Sequence, residues 1–313
     1  NIRERRDCST AILDVQGQIV AQSPFIPMHL GSMVGLIEAV LKRFPRGSLR
    51  RGDVIIANDP YSGGGAHLPD ITVVSPVIYD NELVAFVANI AHHADVGGQV
   101  PGSESAACTT IYQEGIRLPP VRMQPELGVD DPVTQLIMSN SRTPEERYGD
   151  LRAQVAALYV GVQGVNEIFD RYGVKTTFAC MSHFLDYSEK RIRTAVGRLQ
   201  DGTYTFTDHL DDDGFNAHPV RIQCAATISG GEIRLDFGGT APQMNSGKNV
   251  PLVATMSVAH CVVKMLLDPE LPPNTGTYRA VTIDAPKGCM VNPVSPAAVG
   301  ARAISCGILG DVI

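Results

Sequence analysis

Two β-rich runs, DITVVSPVIY and ELVAFVANIAHH, are separated by Asp80-Asn81 alone, and this pair restricts the fold more than any other feature. Both turn residues tolerate positive φ, so two residues suffice for a tight hairpin and the flanking runs must pair antiparallel. A regular ladder starting with Tyr79 opposite Glu82 sets Asp70 opposite Ala91 and His67 opposite Ala94. HLPD, residues 67–70, then lies beside HHAD, residues 92–95, at the open end of the hairpin. Strict alternation sends His93 to the face of Asp70 and His92 to the other, although Pro69 and the preceding glycines break that parity.

The hairpin is entered through NDPYSGGGAHLPD, residues 58–70, which suits either a phosphate-cradling loop or a set of metal ligands. A P-loop needs Gly-Lys-Ser/Thr opening a helix. SGGGAH has no lysine and leads to Pro69 and a strand, while NSGKNVP has Gly247-Lys248 without a following Ser or Thr. ATP binding by this chain is therefore not expected. Imidazole combined with carboxylate favours zinc, iron or manganese over calcium, so His67 and Asp70, with His92 or His93, are candidate ligands of a divalent transition metal. The glycines let the backbone curl so that His67 and Asp70 face inward. Asp59, next to Pro60, reads as a turn-shaping side chain.

With 313 residues, 44% of them apolar, the chain is long enough for one large domain or two ordinary ones. Its formal charge of −7 argues against a nucleic-acid partner, and the short RERR run at residues 3–6 reads as solvated surface or ion pairing. No apolar run approaches the roughly 20 residues that span a bilayer. The seven cysteines are scattered with no Cys-x-x-Cys pair, as expected for free thiols in a reducing cytoplasm. The chain opens almost directly on a strand and stops at GILGDVI, so a fragment of a longer polypeptide is expected.

Along the chain, STAILDVQGQIVAQ reads as a hairpin, and LGSMVGLIEAVLKRF as an amphipathic helix ended by Pro45 and Gly47. The Gly-, Pro- and Ser-rich stretch 95–123 is expected on the surface near the metal, with Glu104 and Glu114 as general-base candidates or solvated acids. TPEERYGDLRAQVAALYVGVQGVNEIFDRYG reads as a long helix capped by Thr143, with Asp150, Arg152 and Gln154 either reaching a site or, by default, on a solvated face. A further helix, FACMSHFLDYSEKRIRTAVGRL, ends at a change to period two. GTYTFTDHLD, VRIQCAATI and EIRLDFGGT are strands, the last two joined at Ser229-Gly230-Gly231. NVPLVATMSVAHCVVKMLLD, almost wholly apolar, reads as a buried helix in which His260 is a core residue. The expected fold is α+β: a metal-site α/β domain built on the hairpin over residues 1–198, then an antiparallel β-rich segment with a buried helix over 199–313.

NIRERRDCSTAILD, NDPYSGGGAHLPDITVVSPV, HHADVGGQVPGS, YQEGIRLPP, GDLRAQVAA, DGTYTFTDHLDDDG, FGGTAPQ, PPNTGTYRAV and NPVSPAAVGAR, in this order over the whole chain, resemble the hydantoinase B/oxoprolinase family. Ala66 and Cys8 depart from the family's usual Thr and Phe, neither at a ligand. The resemblance implies relatives that run well beyond Ile313 and share the fold of acetone and acetophenone carboxylase large subunits. It also implies a hydantoinase A-like, ATP-binding partner in a hetero-oligomer, which phosphorylates a carbonyl or lactam oxygen before the B-type chain completes the chemistry at a metal. By the family motif His67, Asp70 and His92 are the ligands. His93, Asp59 and Asp95 are alternatives or close supports, and Asp95 and Glu114 are the candidate catalytic acids. The expected activity is ATP-coupled opening of a hydantoin, 5-oxoproline or related lactam. Carboxylation of a ketone-derived enol phosphate, or a non-catalytic scaffold, are the alternatives.

Overall fold

The computed structural model describes residues 2–24, 26, 29 and 31–313, and for residues 3, 4 and 24 the backbone alone. The side chains of Arg3 and Glu4 in the RERR run therefore lie outside the described residues. After a one-turn helix α1 (Ile2–Arg5), β1 (Cys8–Leu13) and β2 (Ile19–Pro24) form the expected first hairpin. The next helix, α2 (Leu36–Arg43), is shorter than its apolar period suggests, because residues 32–35 are turns and Gly35 enters at φ 81°. Then β3 (Val54–Ala57), β4 (Asp70–Tyr79), β5 (Glu82–His92) and β6 (Val121–Met123) complete a six-stranded antiparallel sheet in the order β2-β1-β5-β4-β3-β6.

Two helices between the sheets, α4 (Pro144–Tyr172) and α5 (Val174–Val196), follow a short α3 (Pro132–Asn140). Thr143 does not cap α4 with its side chain; its hydroxyl instead accepts from the Arg147 guanidinium at 3.1 Å. The second sheet contains β7 (Gly202–Leu210), β8 (Val220–Ser229) and β9 (Glu232–Asp236), antiparallel as expected, with positive φ at Gly230 and Gly231 in the turn. After α6 (Leu252–Leu267) and the one-turn α7 (Thr275–Tyr278), β10 (Val281–Asp284) adds itself to β9 in parallel, and α8 (Ala303–Val312) ends the chain. The protein is thus α+β. No helix among the described residues is long and apolar enough to cross a membrane.

Alternation along the central strands divides the first sheet between two cores. Val54, Ile56, Ile71, Val73, Ala85 and Val87 pack towards α3 and α4, whereas Ile55, Val74, Phe86, Ala88 and Ile90 pack towards α2. A third core gathers Ile192 and Val196 of α5 with the second sheet, α6 and α8.

The hairpin turn adopts φ 47° at Asp80 and 65° at Asn81, the doubly positive conformation that a two-residue loop requires. The ladder beyond it is not regular. Tyr79 faces Glu82 and Ile78 faces Leu83, but Val77 faces Ala85, leaving Val84 as an extra residue on β5. Val84 and Ala85 consequently pack into the same core, which is the mark of a β-bulge. From there every pairing is displaced by one, so Asp70 lies opposite His92 rather than Ala91. The bulge reverses the expected parity: Asp70 and His92 share a face, and His93 points to the other.

Candidate functional site

Each member of the opening loop is fixed by a specific contact. Asn58, fully buried, donates to the carbonyls of Leu68 (2.7 Å) and Ile116 (3.0 Å) and accepts from the Leu118 amide at 2.7 Å, closing the loop at its base. Asp59 accepts from the Tyr61 amide and pairs with Arg117 at 2.7 Å, so it shapes the turn. The glycine run is demanded by proximity. A Cβ on Gly64 would come within 2.3 Å of the Asn58 carbonyl carbon, and one on Gly65 within 2.4 Å of the Asp70 carbonyl oxygen. Backbone against backbone at that range leaves no room for a side chain. The Asp70 amide donates to the His67 carbonyl and the His93 amide to that of Pro69, which ties HLPD to the end of β5.

The outcome is a cluster of His67, Asp70 and His92 in which one ligand atom from each lies within 4.8 Å of the others. The two imidazole rings are 5.0 Å apart between centroids, tilted by 41°. His67 is almost wholly buried, and neither ring nitrogen has a hydrogen-bond partner among the described residues. Its Nε2 sits 3.2 Å from Asp70 Oδ1 without hydrogen-bond geometry. Burial, reinforced by the nearby Arg302 guanidinium, pushes His67 down to about 4, so the ring is neutral near pH 7. Burial alone would raise the Asp70 carboxyl, but His67 and then Arg302 outweigh it and hold it well below the usual carboxylate range.

Arg302, which sequence reasoning missed, completes the cluster by donating from NH2 to Asp70 Oδ2 at 2.9 Å. It comes from 232 residues downstream, within the NPVSPAAVGAR stretch, and the only signal was that this stretch resembles a family motif. His29 was also missed. Its ring nitrogen Nδ1 is 3.0 Å from Ser9 Oγ, and the Asp70 charge reaches it.

Three other candidates lie elsewhere. His93 sits on the opposite face of β5, its Nε2 2.9 Å from Oε1 of Gln154. Gln154 is not solvated as expected. It is buried on α4, donates to the Ile71 carbonyl and Asn89, and closes a polar network behind the sheet. Asp95 is taken up by Arg142 at 2.8 Å and by the amides of Gly97 and Arg142, and it does not line the cavity that holds the cluster.

Glu114 is neither solvated nor in that cavity. Fully buried, it accepts through Oε1 from the amides of Val299 (2.7 Å) and Gly300 (2.6 Å), gripping the turn that delivers Arg302. A Cβ on Gly300 would fall 2.0 Å from the Ser103 carbonyl, so only glycine permits this grip. Burial pushes the Glu114 carboxyl up to about 7 despite the two amides and Arg302. Because the folded state binds this proton more tightly than the unfolded chain, the associated stability is complete below pH about 4 and is lost as pH rises through about 7. Wild type should lose up to about 3 kcal/mol more than Glu114→Gln between pH 5 and 8, measured by denaturant titration. Parallel pH profiles in the two proteins would contradict this role.

The cluster forms the floor of a cavity of about 490 Å³, a size suited to a small molecule. Arg5, Asp7, His29, Glu104 and Arg302 add polar lining, while Ile26 and residues of α6 and α8 supply the rest as apolar or small residues. Contrary to the expectation of a fully buried helix, α6 leaves Met265 60% exposed. His260 does lie in the core, stacked on Tyr278 with ring centroids 3.9 Å apart.

Fold and cavity together define an α+β unit with a cavity whose polar floor hangs from a bulged hairpin. The chain belongs to the hydantoinase B/oxoprolinase family, whose profile matches residues 1–313. It is 33% identical over 327 residues to the B component of a putative D-/L-hydantoinase from a Pseudomonas strain, covering all of this chain and 55% of that protein. It is 34% identical over 329 residues to the 5-oxoprolinase of Saccharomyces cerevisiae, covering all of this chain and 25% of that protein. The crystal structure of the ATP-dependent caprolactamase from Pseudomonas jessenii superimposes with a TM-score of 0.90 at 32% identity, over 98% of this chain and 53% of that one. An acetone carboxylase in its nucleotide-free form shares the fold, with a TM-score of 0.84 at 18% identity over 96% of this chain and 42% of that one. The chain thus spans about half the length of its hydantoinase and caprolactamase relatives, and a quarter of the oxoprolinase.

Proposed function

We propose that this chain is the B-type part of an ATP-coupled cyclic amidohydrolase, in which a ring amide activated on an ATP-binding partner is opened beside a divalent transition metal. The observation that carries the reading is the convergence of His67, Asp70 and His92, with both ring nitrogens of His67 buried and without a hydrogen bond among the described residues. A buried imidazole without hydrogen bonds is costly unless something else occupies its lone pair, and a His₂Asp donor set fits zinc, manganese or iron. When bound, such an ion polarises a carbonyl or phosphoryl oxygen and lowers the pKa of a water towards about 7.

The chain's own residues do the rest. Arg302 keeps Asp70 ionised and orients its carboxylate, Glu114 fixes the turn that carries Arg302, and Glu104 lines the cavity as an acid available for proton transfer. In the overall reaction one water adds across the ring C–N bond, so that the carbonyl carbon becomes a carboxylic acid and the nitrogen takes a proton, and a second water is consumed as ATP becomes ADP and phosphate. Names of relatives as hydantoinase, 5-oxoprolinase and caprolactamase support ring opening, and the coupling to ATP follows the caprolactamase.

The test uses the full-length protein with its A-type partner. Elemental analysis should find about one first-row transition metal per chain. Chelation should abolish ATP-dependent opening of a hydantoin or lactam, and re-metallation should restore it. Calorimetric titration of the isolated chain with Mg-ATP should be flat, since it has no Gly-Lys-Ser/Thr loop. Fixation of bicarbonate onto a ketone, with no ring opening, would replace this reading by a carboxylase. Full activity without metal would leave the histidines a structural role.

A further inference from the structure

The outer strand of a sheet carries a row of unpaired amides and carbonyls that recruits another strand unless it is blunted. Of the outer strands here, β6 and β10 are only three and four residues long. β7 is nine residues long and has no lysine, no proline and no bulge along its ladder with β8. No strand among the described residues pairs with its other side. The His209 amide donates to the Asp208 side chain at 2.7 Å, which places it on the outer side of the ladder. Alternation then turns the amides and carbonyls of Thr203, Thr205 and Thr207 to the same open side. The side chains are as unfinished as the backbone. Register sets Tyr204 and Phe206 opposite Ala226 and Cys224, on the face that buries Ile222 and Cys224, yet the two rings are 49% and 57% exposed. The core face of the second sheet thus extends one strand beyond its cover.

We infer that β7 pairs antiparallel with β7 of a second copy of this chain, about a two-fold axis at Thr205, so that the two four-stranded sheets become one of eight strands. The strand is complementary to itself in that register. Thr203 of one copy meets Thr207 of the other, Thr205 meets Thr205, Tyr204 meets Phe206, and His209 meets Asp201. Threonine and aromatic pairs favour strand association, and a histidine opposite a carboxylate sets a donor against an acceptor. Moving the axis by one residue sets Phe206 against Gly202 or Tyr204 against Asp208, and parts His209 from Asp201. Charge permits the approach, because the chain carries −7 overall but residues 202–207 carry none. A two-fold pairing of like surfaces closes on itself, so association stops at two copies. None of this depends on the chemistry in the cavity.

The test uses the full-length protein, with and without its A-type partner, and reads mass by light scattering over about 1–100 µM. The number of B-type chains per particle should rise towards two. Thr205→Lys and Thr205→Glu each set like charges opposite one another at the axis and should weaken association by about tenfold, whereas an equimolar mixture of the two should restore it. Thr205 is exposed and faces the outer side of β7, so thermal midpoints should not move. Thr205→Cys in a Cys180→Ser background, which lacks the exposed native thiol, should form a disulfide between two copies on mild oxidation. Residues paired at such an axis lie about 5.5 Å apart between Cα atoms, within disulfide reach. Thr203→Cys, which meets Thr207 instead of itself, should not. Association that survives Thr205→Lys, a mixture that fails to reassociate, or cross-linking through Thr203→Cys as readily as through Thr205→Cys overturns the inference. So does a full-length chain that stays single at every concentration, or a Thr205→Cys variant linked only to the A-type partner, since another segment then covers the edge.

Discussion

Asp70→Asn is expected to strip the metal, reduce ring opening by at least about a hundredfold, and destabilise the fold by about 3 kcal/mol or more. The two losses have different causes. Metal would be lost because the amide brings no charge and a poorer donor to a site whose other candidate donors are imidazoles. Stability is lost because Arg302, 8% exposed and 2.9 Å from Asp70, keeps its charge with no carboxylate to meet it. Removing both members separates them. Asp70→Asn with Arg302→Met should recover much of the unfolding free energy, since an apolar side chain of similar length fills the space, yet leave the protein without metal. Denaturant titration and elemental analysis on wild type, the single variant and the double variant read both effects. A single variant that keeps its metal would refute Asp70 as a ligand, and a double variant no more stable than the single one would refute the charge argument.

The parts of the site that can be read from sequence are those set by local chemistry. Asp80-Asn81 announces the hairpin because a two-residue loop needs positive φ and these residues tolerate it, and HLPD and HHAD follow at its open end. The bulge leaves no such signal. Val84 lies within LVAFVA, where every residue is apolar, so inserting one more between the strands does not disturb the pattern. A regular ladder therefore misplaces register and parity by one residue, and only the resemblance to family motifs points to His92. Arg302 and Glu114 depend on contacts across nearly 200 residues or more, which no window reveals. Hydropathy misleads at α6 for a different reason. An apolar run is shared by a helix in the core and by one that also lines a cavity, so it does not tell the two apart.

His92→Ala and His93→Ala, one residue apart, should fail in opposite ways. The bulge places His92 on the face of Asp70, with its ring 5.0 Å from that of His67, so truncating it removes one of three donors from the site. Metal content and ring-opening activity should both fall at least about tenfold, and stability should change little, because His92 is the least buried of the three. His93 faces α4 and has no route to the cluster. Its Nε2 meets Gln154, which in turn holds Asn89 and the Ile71 carbonyl, so His93→Ala opens a void and leaves a buried amide short of a partner. The cost should be about 2–4 kcal/mol of unfolding free energy, with metal stoichiometry preserved at temperatures where the variant is folded. His93→Gln, which can still offer an N–H to Gln154, should recover part of that loss, whereas His92→Gln should not recover metal. The reverse pattern, with metal lost from His93→Ala and kept in His92→Ala, would mean that the ladder runs without its bulge and that β5 presents its other face to the cavity.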